Sequence, residues 1–169
     1  CIALSNRGDI HAGLGSESDE RGFLLSAGEH YVTAAICYHF GKFLFVNNPI
    51  QMKSTHKKAV DIYTKALPYL NPPGERVSIP YNGGTLYGNL RAPNGIKTPP
   101  VVILIMGLDS AKEEMFYNEQ LFLDRGMATL TFDGPGQGEA EYDLSICPEY
   151  EKPVQAVIEF TKTRKDLDA

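Results

Sequence analysis

The sequence lacks a long apolar segment and an excess of basic residues. No stretch of its 169 residues approaches the roughly 18 to 20 uncharged apolar residues that a membrane-spanning helix needs. Its 16 Lys and Arg are outnumbered by 21 Asp and Glu, which gives a formal charge of −5 and leaves no positive surplus for binding phosphates. We therefore expect neither a membrane nor a nucleic acid as a partner.

Cysteine is also scarce. The three cysteines, Cys1, Cys37 and Cys147, are widely spaced and form neither a C-x-x-C motif nor a pairing with histidine at metal-ligand spacing. An odd number of isolated cysteines favours a reducing compartment, so the cytoplasm is the default location. The sequence predicts no metal site. Cys37, which lies in an apolar helical run, is predicted to be a small core residue.

The chain changes character at Asn71-Pro72-Pro73-Gly74. Through Gly74 there are seven basic and six acidic residues, for a charge of +1, whereas the nine basic and fifteen acidic residues that follow give −6. All four histidines lie in the first part. The hydrophobic period also changes there, from that of helices to that of strands. We predict two domains, a helical one over residues 1–73 and an α/β one over 74–169.

Local signals predict a helix pair in the first domain. Ser26 followed by Glu29 has the form of a capping box, which predicts that a helix begins at Ser26. Apolar residues are dense over 31–45, and Asn48-Pro49 has the form of a second helix start with proline in the first turn. These signals predict an antiparallel helical hairpin over about residues 26–70.

The second domain is predicted to be α/β. Asn82-Gly83-Gly84 separates two strand-like segments and favours a hairpin turn. The continuous apolar run 101–106 is typical of a central strand that is buried on both faces of a parallel sheet. The remaining segments are predicted as strands 75–81, 85–92 and 127–132 and helices 111–124 and 149–162. This order is typical of an α/β fold in which helices cross over a parallel sheet.

Met106-Gly107-Leu108-Asp109-Ser110 follows the predicted central strand. In open α/β sheets ligands bind at the carboxyl ends of strands, and a glycine there allows a substrate to approach closely. One interpretation is an oxyanion hole, in which the Leu108 backbone amide stabilises the charge of an attacked carbonyl and Gly107 shapes the turn. The other is a tight strand-to-helix turn that needs one glycine. The motif alone favours the plain turn.

Three further features are predicted to be structural. Asp133-Gly134-Pro135-Gly136-Gln137-Gly138-Glu139 lacks the lysine and hydroxyl of a phosphate-binding loop, which predicts a rigid turn braced by Asp133. His39 stands among aromatic residues, where a packed histidine is commoner than a ligand. Lys112-Glu113-Glu114 is predicted to be a solvated first turn of its helix.

Taken together, the chain resembles the amino-terminal portion of α/β hydrolases in the branch that contains 2,6-dihydroxypseudooxynicotine hydrolase and the FrsA-like esterases. The resemblance covers nearly all of the chain beyond about residue 22. It is carried by the helical segment 38–45, by segment 107–114 after the central strand, and by segments 124–128 and 132–139 around the next strand. The glycine-rich block with its preceding strand is specific to this branch.

The resemblance implies an amino-terminal helical cap over an α/β-hydrolase core. It also implies a Ser-Asp-His triad that cleaves a carbon–carbon bond beside a ketone, or an ester in relatives, with no metal or organic cofactor. The substrate would be a small carbonyl compound or ester. The Leu108 amide and the amide after the serine would together hold the oxyanion. His39 would be a cap residue that either faces the substrate or packs within the cap.

The nucleophile elbow G-x-S-x-G is missing from the sequence. Ser78, Ser110 and Ser145 lack glycines at the required offsets. Because the chain order in this fold is serine, acid, histidine, we expect the whole triad to lie beyond Ala169 and this chain alone to be inactive. Two alternatives stay open: an esterase or acyl hydrolase of the same fold, and a truncated or binding protein without activity. A homodimer is also left open.

Overall fold

The structure is a computed structural model that describes residues 2–42 and 47–169. The chain forms two compact units, 1–73 and 74–169. Among the described residues, none of the helices combines the length and the apolar character needed to cross a membrane.

The first unit contains three helices, α1 (Ile2–Glu20), α2 (Leu24–Lys42) and α3 (Pro49–Ala66), and ends in a 3-10 turn, Leu67–Tyr69. Helix α2 packs against both α1 and α3. The sequence predicted α2 and α3 but not α1. The buried residues of α1 are Gly8 and Gly15, which lie against the rings of Tyr38 and Tyr31. A helix that packs through glycines has no apolar stripe, so the hydrophobic period could not reveal it.

The predicted start of α2 at Ser26 is wrong, because the helix begins at Leu24. Gly22, with φ of 78°, ends α1 in a tight turn. In this turn the Gly22 amide donates to the Asp19 carbonyl and the Phe23 amide donates to the Ser18 carbonyl. The next helical turn then starts at once, and the Ala27 amide already donates to the Phe23 carbonyl at 2.9 Å. The capping-box pattern at Ser26 is therefore inside the helix.

The start of α3 is as predicted. The Asn48 side chain accepts a hydrogen bond from the Gln51 amide at 3.1 Å, and Pro49 occupies the first turn. Cys37 on α2 is half-buried and not a full core residue, and burial raises the pKa of its thiol. The part of the predicted apolar run that covers residues 43–45 lies outside the described residues.

The second unit contains strands β1 (Gly74–Tyr81), β2 (Gly84–Arg91), β3 (Val101–Ile105) and β4 (Ala128–Phe132). Its helices are α4 (Phe116–Leu123) and α5 (Glu151–Thr163), with 3-10 turns at Lys112–Met115 and Gly138–Tyr142. The predicted hairpin is confirmed, and its turn residues Asn82 and Gly83 have φ of 47° and 77°. The predicted α/β order is confirmed as well.

The sheet order is β1-β2-β4-β3, in which only β3 and β4 are parallel. The core lies between the sheet and α5 and includes Leu86, Leu130, Phe132 and Val157. Among the described residues the run 101–106 forms an edge strand, so its prediction as a central strand is not confirmed. All of β4 is buried, whereas β3 lies at the edge and Ile105 is 50% exposed. Strand order depends on long-range pairing, which an apolar run does not encode.

The outer edge of β3 carries one further contact. Asp168 forms a parallel bridge with Pro100, and its amide donates to the Pro99 carbonyl at 3.0 Å. The chain after α5 therefore returns to the sheet beside the start of β3 and runs in the same direction.

Candidate functional site

The candidate site is the turn at the carboxyl end of β3. After Met106 the chain forms a turn in which the Ser110 amide donates to the Gly107 carbonyl at 3.2 Å. Leu108 is 62% exposed. Within residues 2–42 and 47–169, the Leu108 amide donates to no protein group. An exposed strand end whose amide N–H is free to donate to a ligand oxygen is the arrangement that an oxyanion site requires.

Gln137, in the loop after β4, holds this turn from behind. Its Nε2 donates to the Met106 carbonyl at 2.7 Å and to the Gly107 carbonyl at 2.9 Å. Its Oε1 accepts from the Gly134 amide at 3.1 Å and from the Tyr150 hydroxyl. The side chain is buried, so every polar atom of this amide is paired away from water.

Sequence reasoning missed Gln137 and treated it as a spacer in a glycine-rich turn. The signal that could have found it is its position. Gln137 is the one neutral polar side chain among the glycines and proline of a loop that follows a parallel neighbour of β3. Loops at the carboxyl ends of adjacent parallel strands lie at the same edge of a sheet.

Asp133 braces the same loop, as predicted. Its buried carboxylate accepts from the Lys112 amide at 2.8 Å, from Lys112 Nζ at 2.7 Å and from the Glu139 amide at 3.0 Å. Gly138 has φ of 46°, and a Cβ at this position would overlap the Asp133 carboxylate. A Cβ at Gly134 would overlap the Tyr150 hydroxyl. The glycines are therefore needed for close approach as well as for backbone conformation.

The prediction that Lys112-Glu113-Glu114 is a solvated turn is wrong for its first two residues, which are buried. Lys112 Nζ lies 2.7 Å from Glu113, 2.7 Å from Asp133 and 2.8 Å from Glu139. Burial alone would lower the pKa of Lys112, but these three carboxylates outweigh it and hold the pKa above its ordinary value. Ions that attract each other across the fold can be buried together, and this pairing is invisible in the local sequence.

The three carboxylates of Glu113, Asp133 and Glu139 lie close enough together to hold a metal ion. The Lys112 ammonium contacts all three of them, so it supplies the positive charge that a metal would bring. Arg76 adds a second cation through a two-point contact with Glu139 at 2.6 and 2.8 Å. The chemistry of this group is that of a structural ion cluster.

Comparison with known proteins gives the family. Residues 7–145 match the family described as Esterase FrsA-like. The chain belongs to the FrsA-like esterase family. It is 44% identical over 135 residues to 2,6-dihydropseudooxynicotine hydrolase of Paenarthrobacter nicotinovorans, an alignment that covers 80% of this chain and 36% of that protein. It is 30% identical over 171 residues to hydrolase phmG of Phaeosphaeria nodorum, covering 88% of this chain and 38% of the relative.

Solved structures agree with this membership. The crystal structure of the 2,6-dihydroxy-pseudo-oxynicotine hydrolase matches with a TM-score of 0.88 and 36% identity, covering 98% of this chain and 46% of that one. AbyA5 matches with a TM-score of 0.63 at 21% identity, covering 95% and 45%, which shows the fold alone. This FrsA-like chain therefore has an α/β-hydrolase fold and spans less than half the length of these relatives.

In this FrsA-like chain, the predicted site residues fall in different units. Gly107 and Leu108 lie in the α/β unit, and His39 lies in the helical unit. His39 is fully buried on α2, with its ring edge-on to Phe40 at a centroid distance of 5.0 Å. The oxyanion role of Leu108 and the substrate role of His39 stay predictions.

Proposed function

We propose that the full-length protein is a serine-dependent hydrolase that cleaves a carbon–carbon bond beside a ketone. In this proposal the 169-residue chain supplies one donor of the oxyanion hole, the Leu108 amide, and residues beyond Ala169 supply the triad. The observation that carries the proposal is the open Leu108 amide at the carboxyl end of β3, behind which Gln137 and Ser110 hold the Gly107 carbonyl. The family membership supports the hydrolase chemistry.

The reaction begins when the serine oxygen attacks the ketone carbon, the serine proton passes to the histidine, and the carbonyl oxygen becomes an anion. The Leu108 amide and the amide after the serine donate to that anion. When the carbonyl re-forms, the carbon–carbon bond breaks, and its electron pair leaves with the departing carbon, which takes the proton held by the histidine. Water then hydrolyses the acyl-serine to a carboxylate and restores the enzyme.

The pairing of Asp168 with the start of β3 supports a nucleophile next to Leu108. Asp168 already pairs in parallel with Pro100 at the start of β3. A strand that continued from there would end beside Gly107, and in α/β hydrolases the serine sits on the sharp turn after such a strand. We further propose that residues 1–73 act as the cap domain, as the resemblance implies.

An esterase of the same fold is the second candidate. The description of the matching family as Esterase FrsA-like favours it, whereas the 44% identity to a pseudooxynicotine hydrolase favours the carbon–carbon reaction. Both reactions need the same oxyanion site and differ only in the leaving group. The third candidate, a binding protein without activity, shares the fold but predicts no turnover.

The deciding experiment assays the full-length protein on β-diketones and on p-nitrophenyl esters. Faster cleavage of the diketones supports the first candidate, faster cleavage of the esters supports the second, and turnover of neither supports the third. The 169-residue chain, assayed in parallel, should show no activity above the buffer rate.

Gly107→Val tests the oxyanion turn in the same assay. The nearest atoms to a Cβ at Gly107 are 3.7 and 3.9 Å away, so the turn itself can accept a side chain. A lower kcat in a folded variant would then show that the added side chain crowds the reacting carbonyl. An unchanged kcat would count against an oxyanion site at this turn.

His39→Ala tests the cap residue. A contact with the substrate predicts a higher KM with little change in kcat. Loss of folded protein without a change in KM would instead assign His39 to packing of the helical unit.

A further inference from the structure

We propose that Gln137 is a positioning residue of the oxyanion hole, because its side-chain amide fixes the orientation of the peptide unit between Gly107 and Leu108. The inference rests on the proposed function and names a residue that the sequence analysis did not single out. Gln137 does not touch the substrate in this proposal and acts through the backbone.

The geometry gives the direction of the Leu108 N–H. A peptide unit is planar and trans, so its N–H points opposite to its C=O. The Gly107 carbonyl is held by Gln137 Nε2 at 2.9 Å and by the Ser110 amide at 3.2 Å. Two donors use both lone pairs of that oxygen. The Leu108 N–H therefore points away from the Gln137 side-chain amide that holds the Gly107 carbonyl.

The preceding peptide unit is fixed in the same way. Gln137 Nε2 also donates to the Met106 carbonyl at 2.7 Å, so the two N–H groups of one side-chain amide donate to two successive backbone carbonyls. A donor in an oxyanion hole is effective because it is already oriented before the charge develops. Two consecutive peptide units held by one buried group meet that requirement.

The orientation of the Gln137 amide is itself determined by its surroundings. Its Oε1 accepts from the Gly134 amide and from the Tyr150 hydroxyl. Burial raises the pKa of Tyr150 to about 12, so this hydroxyl keeps its proton at neutral pH. A flipped amide would place its NH2 group against the Gly134 N–H and its oxygen against the two backbone carbonyls, so the observed orientation is favoured.

The competing interpretation is that Gln137 only holds the two loops together. The Lys112–Asp133 contact helps to distinguish this role from the orientation of the Leu108 amide. The Lys112 amide and ammonium both bind Asp133, which joins the far end of the same turn to the same loop after β4. With that tie intact, loss of Gln137 should release the peptide orientation at Leu108 without separating the two loops.

Gln137→Glu in the full-length enzyme is the sharpest test. Glutamate keeps the shape and the acceptor for Gly134 and Tyr150 but replaces the two donated hydrogens with an oxygen that repels both carbonyls. We expect kcat to fall about tenfold to a hundredfold, part of the effect of losing an oxyanion donor, while KM changes less than about threefold. Affinity for a trifluoromethyl ketone, which forms the oxyanion on the serine, should fall in step with kcat.

Three variants complete the test. Gln137→Met removes the donors without adding charge and should also lower kcat. Tyr150→Phe removes one of the two groups that orient Gln137 and should give a smaller loss, about two- to fivefold. Gln155→Glu makes the same chemical change as Gln137→Glu at an exposed position of α5 and should keep kcat within about twofold.

The results that overturn the inference are distinct from those that overturn the proposed function. Wild-type kcat in a folded Gln137→Glu or Gln137→Met variant overturns it, and so does a rise in KM with kcat unchanged. Failure of both Gln137 variants to fold assigns the residue to structure alone and also overturns it. If the wild-type protein turns over neither diketones nor esters, the proposed function fails first and the inference falls with it.

Discussion

The loops that follow β3 and β4 lie at the same edge of the sheet but differ in exposure and in pairing. The turn after β3 exposes Leu108 and leaves its amide open, whereas the loop after β4 buries Asp133 and Gln137 with their polar atoms bonded. The second loop holds the Met106 and Gly107 carbonyls of the first through Gln137. In the proposed oxyanion site, a backbone amide of one loop would therefore depend on a side chain of the neighbouring loop.

The largest effect should come from breaking the ion cluster under the second loop. Lys112→Met would leave the buried carboxylates of Glu113 and Asp133 without their shared cation, whereas the partly exposed Glu139 would keep Arg76. We expect the free energy of unfolding of the full-length protein to fall by about 3 to 5 kcal/mol, measured by chemical denaturation. The Lys152 side chain is 60% exposed, so Lys152→Met is the control and should lower the free energy of unfolding by less than about 1 kcal/mol. Equal losses of free energy of unfolding in Lys112→Met and Lys152→Met would show that the buried cluster contributes no more than an exposed lysine.

A single methyl group in the second loop should have the next largest effect. Gly138→Ala would place a Cβ against the Asp133 carboxylate at a positive φ of 46°. Backbone strain and overpacking together should lower the free energy of unfolding by about 2 to 3 kcal/mol. Thermal unfolding would measure this loss, and an unchanged midpoint would show that the loop can relax around the methyl group.

A pH titration tests a second buried ion pair, which joins α4 to β2 and can be compared with the ion cluster under the second loop. Arg91 and Glu119 are fully buried and 3.2 Å apart. Burial raises the pKa of Glu119 to about 7, against the opposing charge of Arg91. Between the ordinary value of 4.5 and about 7, the folded protein binds more protons at this site than the unfolded chain. The stabilising contribution of this group is therefore full below that window and is lost as pH rises through it.

The measurement is the free energy of unfolding across that pH window. The contribution of Glu119 should fall with pH at up to about 1.4 kcal/mol per unit, and Glu119→Gln should remove this slope. Glu159→Gln, at an exposed position of α5, should keep it. Identical slopes for the wild type and Glu119→Gln would mean that the carboxyl stays ionised throughout.

The smallest effect on stability is expected in the first loop. A Cβ at Gly107 would have no atom closer than 3.7 Å, so Gly107→Ala should change the free energy of unfolding by no more than about 0.5 kcal/mol. Paired with Gly138→Ala, it makes the same substitution in the two neighbouring loops. A loss at Gly107 as large as that at Gly138 would show that the turn after β3 is as tightly packed as its neighbour.

Local signals were sufficient for several elements. Asn48-Pro49 and Asn82-Gly83 act through their own backbone and nearest neighbours, so the start of α3 and the β1–β2 turn could be read directly. Asp133 was also predicted as a brace. Helix α1 could not be predicted, because its buried positions are glycines whose partners are tyrosines on another helix.

Long-range partners explain the remaining errors. The burial of Lys112 depends on Asp133 and Glu139, which are 21 and 27 residues away in the sequence. The role of Gln137 depends on carbonyls about 30 residues earlier. The turn at Gly107 was found because a glycine after an apolar strand is a local pattern, but nothing local indicates what holds that turn.

The edge position of β3 affects the solubility of the polypeptide. Its outer side is paired with described residues only where Asp168 meets Pro100, and Ile105 is half exposed at the other end of the strand. Unpaired backbone groups along an apolar edge strand are a template for pairing with another chain. When it is produced as 169 residues, the protein should therefore aggregate in a concentration-dependent manner. An Ile105→Lys substitution at this edge should improve its solubility.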